Sequence, residues 1–175
     1  MITLGLDLST SITGATLLDE GGSTILCEAW DTRNKRLYPT IFSKAHYVQK
    51  RLFELRFPIK KIYIEQPFVF FNSGGSTAKT MATLQRFNGI VSWICFRDLN
   101  IVPEYVTATQ ARKLCELKVP RGTKAKEIAL QHFLDNGNKI EYTSHGNPKP
   151  GSYDRADSWI IAKAGYRLWK EGLKS

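Results

Sequence analysis

The segment Ile2-Thr3-Leu4-Gly5-Leu6-Asp7-Leu8-Ser9-Thr10-Ser11-Ile12-Thr13-Gly14-Ala15-Thr16-Leu17-Leu18 decides how this chain is read. Apolar residues crowd both sides of a Ser/Thr/Gly cluster, a pattern that predicts two β-strands joined by a short turn. Asp7 falls inside the first strand, where a short polar side chain competes for backbone hydrogen bonds and is disfavoured. Two readings of it stand at this point: a turn aspartate bonded to its own loop amides, or a metal-binding carboxylate on a rigid strand. Three later carboxylates favour the second.

Outward from this segment, residues 24–30 follow the turn Glu20-Gly21-Gly22-Ser23 as a third strand, so the first three strands predict an antiparallel meander. In residues 40–57 the apolar positions Ile41, Ala45, Val48, Leu52 and Leu55 recur at three- and four-residue steps, marking an amphipathic helix that Pro58 stops. Lys61-Ile62-Tyr63-Ile64-Glu65 is a β-rich run ending in a carboxylate, and its place after a helix makes it a strand laid beside the first by a crossover. A long helix is predicted over 77–99, a strand over 101–107 and a short helix over 109–117. The basic turn 119–126 leads into a helix reaching Leu134, with Thr123 as its N-cap. Residues 135–151 hold three Gly and two Pro and predict a mobile loop of a length that usually carries function. A helix over 153–171 closes the chain. The order βββαβαβααα predicts an α/β fold, a mixed five-stranded sheet (three-strand antiparallel meander plus two parallel strands) flanked by helices, as one domain over residues 1–175.

Hydrophobic residues at 42% and charged residues at 23% suit a globular chain, and no apolar run approaches the roughly 20 residues of a membrane span. With no signal-peptide pattern at Met1, a cytoplasmic location is expected. Cys27, Cys95 and Cys115 are odd in number and set among apolar residues, which fits reduced thiols. Together with the scattered His46, His132 and His145 they offer no zinc-ligand spacing. The net charge of +9, from 25 basic against 16 acidic residues, points to a polyanionic partner, because Lys and Arg on phosphates gain affinity by releasing condensed counterions.

Asp154 and Asp157 lie three apart at the start of the last predicted helix, so they project from nearly one face. Alone, they read equally as acids that stabilise the positive end of the helix dipole, worth about 0.3–1 kcal/mol. Glu65, at a strand end before Gln66-Pro67, serves neither strand nor turn. Together with Asp7 these hard oxygen donors suit Mg2+ or Mn2+, which keep waters and accept phosphate oxygens as further ligands. A pair of such ions roughly 3.5–4 Å apart can activate water and stabilise the leaving oxygen in phosphodiester cleavage.

The blocks Gly5-Leu6-Asp7-Leu8-Ser9 through Thr13-Gly14, Ile64-Glu65-Gln66-Pro67-Phe68, Gln85-Arg86-Phe87-Asn88-Gly89, Gly122 to Lys126 and Asp154-Arg155-Ala156-Asp157 resemble the RuvC family of Holliday junction resolvases, in the family's order and close to its spacing. The short length is similar to compact phage or viral members. The resemblance implies the ribonuclease H-like fold, cleavage of four-way DNA junctions with Mg2+ (Mn2+ substituting, two ions per site), a homodimer and a cytoplasmic location, the host's if phage-encoded. It implies Asp7, Glu65, Asp154 and Asp157 as metal-binding catalytic carboxylates and Lys126 as a lysine near the scissile phosphate. Phe68 matches an aromatic that stacks on unpaired bases. Arg112 or Lys113 could supply a second basic group, and Arg121 and Lys124 add to the DNA-binding surface. Leu8-Ser9 departs from the family's Pro-Gly, and residues 135–151 exceed its usual link. A nuclease of the same fold acting on forks, flaps or RNA paired to DNA remains a second reading. An actin- or sugar-kinase-like ATP-binding module is a remote one, because a second lobe would not fit in 175 residues.

Overall fold

The computed structural model describes residues 1–67 and 77–172. The elements are β1 (Ile2–Asp7), β2 (Ile12–Leu18), β3 (Thr24–Asp31), α1 (Ile41–Glu54), β4 (Ile59–Glu65), α2 (Ala78–Leu99), β5 (Glu104–Val106), α3 (Ala108–Leu114), α4 (Ala125–Asp135) and α5 (Ser152–Gly172). One sheet runs β3-β2-β1-β4-β5, with β1, β2 and β3 antiparallel and β4 and β5 joined parallel to β1. The mixed α/β sheet expected from the element order is therefore present, with β1 at its centre.

Strand alternation divides the molecule into two layers. Leu4 and Leu6 of β1, Ala15 and Leu17 of β2, and Ile62 and Ile64 of β4 are buried in one core cluster with Val48, Phe87 and Val91 of α1 and α2. Each fully buried aliphatic side chain there contributes about 1.5–3 kcal/mol. The intervening residues face α3, α4 and α5, where Tyr63, Phe133, Trp159 and Ile161 form the second cluster. The last helix lies against the sheet with almost nothing between: a Cβ on Gly5 would come within 2.4 Å of the Ala162 backbone nitrogen, and one on Gly165 within 2.1 Å of the Tyr63 ring. Small residues at those points set the height of α5 above β1.

Local chemistry fixes the helix ends. Thr40 and Ser43 form a reciprocal capping box at the start of α1, with Ser43 N donating to Thr40 Oγ1 at 3.1 Å and Thr40 N donating to Ser43 Oγ at 3.1 Å. Asn100 ends α2 in the left-handed region at φ 54°. Thr123 is not the N-cap of α4; Lys124 holds that position without a side-chain bond. The reason is a β-turn over 120–123, in which Gly122 takes φ 83° and the Thr123 hydroxyl donates back to Pro120 O at 2.7 Å.

The link from α4 to α5 also differs from its expectation. Instead of an unstructured loop it folds into a small hairpin: Tyr142 bridges Pro148 in antiparallel register, Lys149 N donates to Glu141 O at 2.9 Å, and Thr143 N donates to Asn147 O at 2.8 Å. A Lys149–Glu141 ion pair of 2.6 Å joins its arms. Composition reported the turn residues correctly but could not report the cross-arm pairing, which depends on register. The described cysteines are all free, and no described helix is long and apolar enough to cross a membrane.

Candidate active site

The C-terminal end of β1 is where the acidic residues meet. Parallel register places Leu6 beside Ile64, so the residues that follow them, Asp7 and Glu65, end adjacent strands on the same face, about 4.8 Å apart along the hydrogen-bonding direction. On the other side of β1, Asp7 pairs with Gly14 of β2. The Gly14 side-chain position faces α5 at Asp154 and Ser158. The face that carries Asp7 and Glu65 is thus the face on which the last helix lies, and the first turns of α5 bring Asp154 and Asp157 over it.

Polar contacts fix how α5 is turned. The hydroxyls of Thr16 and Ser158 share a buried hydrogen bond of 2.8 Å, and Ser158 Oγ donates to Arg155 O at 2.9 Å. Arg155 in turn donates from Nε to Cys27 O at 3.1 Å, fastening the helix to β3. Tyr153 donates its hydroxyl to Glu127 Oε1 at 2.9 Å, holding α4 against the start of α5. Beside the site, Lys44 of α1 donates to Thr10 O and fastens the turn that follows Asp7.

The four carboxylates share one electrostatic field. Asp7 is pushed well above the usual carboxylate range, first by burial and then by the negative charges of Glu65, Asp157 and Asp154. Glu65 is raised to about 7 by burial and by Asp157. Asp157 is raised to about 6, again chiefly by burial, with Asp154 adding to it. Asp154 is raised chiefly by burial, with Asp31 adding slightly, while a backbone hydrogen bond, Lys126 and Arg33 pull it back. Lys126 opposes the rise at every one of the four, and Arg112 does so at Glu65 and Asp157. All four acids keep partial solvent contact, so the field is open to a ligand from outside.

Glu65, Asp157, Arg112 and Lys126 line one cleft of about 210 Å³ floored by Ala111 and Ile160. That is room for roughly seven water volumes. Among the described residues no three carboxylate, imidazole or thiolate groups close into a coordination cage. The donor set nonetheless fits Mg2+ or Mn2+: hard oxygens, raised in pKa by burial and mutual repulsion, and open to water and phosphate, as such ions require. Lys113, Arg121 and Lys124 are exposed on the same side of the chain as α3 and the α4 start, outside the cleft. Phe68 lies outside the described residues.

Two site neighbours escaped sequence reasoning. Asp31, at the end of β3, binds Arg33 through a 2.6 Å ion pair, and the Arg33 charge is felt by Asp154. The signal available was the pairing of β3 with β2, which sets Asp31 opposite Ile12 next to the turn after Asp7.

The sequence matches no protein-family model and no curated relative. Solved structures do share the fold. RuvC of Thermus thermophilus, solved in complex with Holliday junction substrate, superposes with a TM-score of 0.70 at 18% identity, covering 98% of this chain and 96% of that one. The yeast mitochondrial Holliday junction resolvase Ydc2 superposes with a TM-score of 0.62 at 15% identity, covering 98% of this chain and 80% of that one. The chain therefore has the RuvC-type, ribonuclease H-like fold across nearly its whole length.

Proposed function

We propose that this protein is a divalent-metal-dependent endonuclease that binds four-way DNA junctions and hydrolyses phosphodiester bonds in them. One observation carries the reading: carboxylates from the first strand, a neighbouring strand and the last helix act on one another across a single face of the sheet, with two cations at their edge. A structural role would not bring four acids to one face of the sheet, since like charges raise one another's cost. The fold's likeness to junction resolvases and the net charge of +9 supply the substrate class.

Asp7, Glu65, Asp154 and Asp157 are the residues that would hold Mg2+, and one or two bound ions would supply an activated water and charge stabilisation at the leaving oxygen. The rest falls to the chain's own groups. Asp7, set by the β1 pairing, is the member that senses the other three, so its carboxylate fixes the centre of the site. Lys126 projects from the first turn of α4 into the cleft, where its ammonium balances the acids and can hold a non-bridging phosphate oxygen. Arg112 on α3 presents a guanidinium to the same cleft and can clamp the adjoining phosphate in two-pronged fashion. Lys113, Arg121 and Lys124 would carry the backbone beyond it, and Phe68 would stack on an unpaired base. Two opposed cuts in a two-fold symmetric junction call for two such sites, which a homodimer provides.

The test is a cleavage panel of labelled four-way, three-way, flap, duplex and RNA–DNA substrates in Mg2+, run with the wild type and Asp7→Asn. The wild type should cut the four-way junction in preference to duplex, and Asp7→Asn should bind it with unchanged affinity while losing cleavage. Equal cutting of plain duplex would remove junction selectivity. Normal cutting by Asp7→Asn would remove the site.

A further inference from the structure

The hairpin between α4 and α5 rests on the second core cluster through Ile140 alone, and its arms beyond that point stand mostly in water. Its base is held tightly: Asn138 Nδ2 donates to Phe133 O at 2.9 Å, and Arg155 Nη2 donates to Lys139 O at 3.0 Å while its Nε reaches Cys27. The same guanidinium faces the Phe133 ring at 5.8 Å. Gly146 takes φ 77° in the turn, so the arms are set at a fixed register. Yet Glu141, Ser144, His145 and Lys149 are exposed, and Tyr142 leaves 52% of its surface in water. Ordering these residues costs conformational entropy that the hairpin recovers from no core contact of its exposed side chains.

We propose that this hairpin is a DNA-contact arm, with the Tyr142 ring stacking on a base of the strand that leads to the carboxylates and with Lys139 and His145 approaching its phosphates; this rests on the nuclease reading above. Tyrosine is suited to the task because it offers a large amphipathic face with few rotatable bonds, and every base has a face to meet it.

Placement supports the assignment. The return arm ends at Lys149, whose carbonyl accepts from Ser152 N at 3.1 Å at the start of α5, two residues before Asp154. Asp154 lies six steps along the chain from Pro148, at most about 20 Å, and Tyr142 lies one strand spacing, about 5 Å, from Pro148. At a rise of about 3.4 Å per nucleotide, Tyr142 therefore falls within about seven steps of a phosphate held at Asp154. Arg155, which grips the hairpin base, sits between Asp154 and the Ala156-Asp157 pair, so the arm and the acids share one rigid support.

The experiment uses the full chain and a synthetic four-way junction carrying 5-iodouracil at single positions up to seven nucleotides from the cut. Photo-crosslinked residues are mapped by mass spectrometry, and affinities are measured by fluorescence anisotropy in Ca2+ to hold the substrate intact. A crosslink at Tyr142 is expected. Tyr142→Ala should weaken junction binding about 5- to 100-fold, with Tyr142→Phe within twofold of the wild type and all three proteins melting at the same temperature. An affinity for Tyr142→Ala within twofold of the wild type overturns the arm whatever the crosslinks, and leaves the nuclease reading standing. A Tyr142→Phe loss as large as that of Tyr142→Ala assigns the effect to the hydroxyl and overturns stacking. A wild type that binds no DNA removes the nuclease reading and the arm together.

Discussion

Gly14 packs directly beneath Asp154: a Cβ on Gly14 would stand 1.9 Å from the Asp154 carbonyl oxygen and 2.9 Å from Ser158 Cβ. The bare backbone of β2 is thus what lets the first turn of α5 descend to the level of Asp7. Gly14→Ala must lift that turn, because the atom in the way is backbone and cannot rotate aside. The substitution should destabilise the fold by about 1–3 kcal/mol, the usual cost of overpacking, and lower junction cleavage about 100-fold through misplacement of the acids, while junction binding holds. Urea denaturation and single-turnover cleavage check both; full activity in Gly14→Ala would show that the helix height does not matter.

The same change on α2 should have the opposite sign. A Cβ on Gly89 meets nothing within 4 Å, and the residue lies within a 22-residue helix. Gly89→Ala should therefore stabilise by about 0.5–1 kcal/mol through helix propensity and reduced unfolded-state entropy. Thermal melts of the pair Gly14→Ala and Gly89→Ala separate close packing from a generic intolerance of alanine.

Stability without divalent ions should fall as pH rises. A carboxyl whose native pKa is raised binds its proton more tightly folded than unfolded, so its contribution is complete below the ordinary value of about 4. That contribution is lost as pH climbs through about 6 for Asp157 and about 7 for Glu65. In chelator the protein should lose about 4 kcal/mol between pH 5 and pH 8, and Asp7→Asn should flatten the slope. Mg2+ should raise the melting temperature at pH 8 and have little effect at pH 5. A stability that increases across this window would contradict the clustered carboxylates.

Lys126→Met removes the cation that restrains all four acids. Their pKa values should rise further, so the acidic limb of the cleavage profile should move to higher pH. At the optimum the rate should drop about 10- to 1000-fold, the usual cost of losing one electrostatic contact at the reacting phosphate. A pH–rate profile of Lys126→Met against the wild type decides it: an unshifted limb would place the ammonium outside the field of the acids.

Periodicity and turn chemistry were enough to place the strands and helices, because hydrophobic alternation in Leu4, Leu6, Ile62 and Ile64 and helical spacing in Ala45, Val48 and Leu52 report burial directly. The acids were legible for the opposite reason: each was a residue its element did not need. What stayed hidden depends on contacts distant in sequence. Thr123 looked like a cap, yet the turn at Gly122 draws its hydroxyl backward. The Arg33 charge reaches Asp154 only because β3 returns beside β2. Gly14 read as a turn former, while its role comes from a helix 140 residues later. The pairing across 141–149 depends on register, which composition does not encode.

Asp7 and Asp154 are 147 positions apart in the chain. During translation at about 5–20 residues per second, roughly 7–30 s pass between the emergence of one and the other. Throughout that interval the nascent polypeptide holds its first carboxylate exposed but has no partner helix to complete the cluster. On the function proposed, competence to cut arrives only once α5 has left the ribosome and docked, so a molecule that lacks α5 is harmless to the DNA around it.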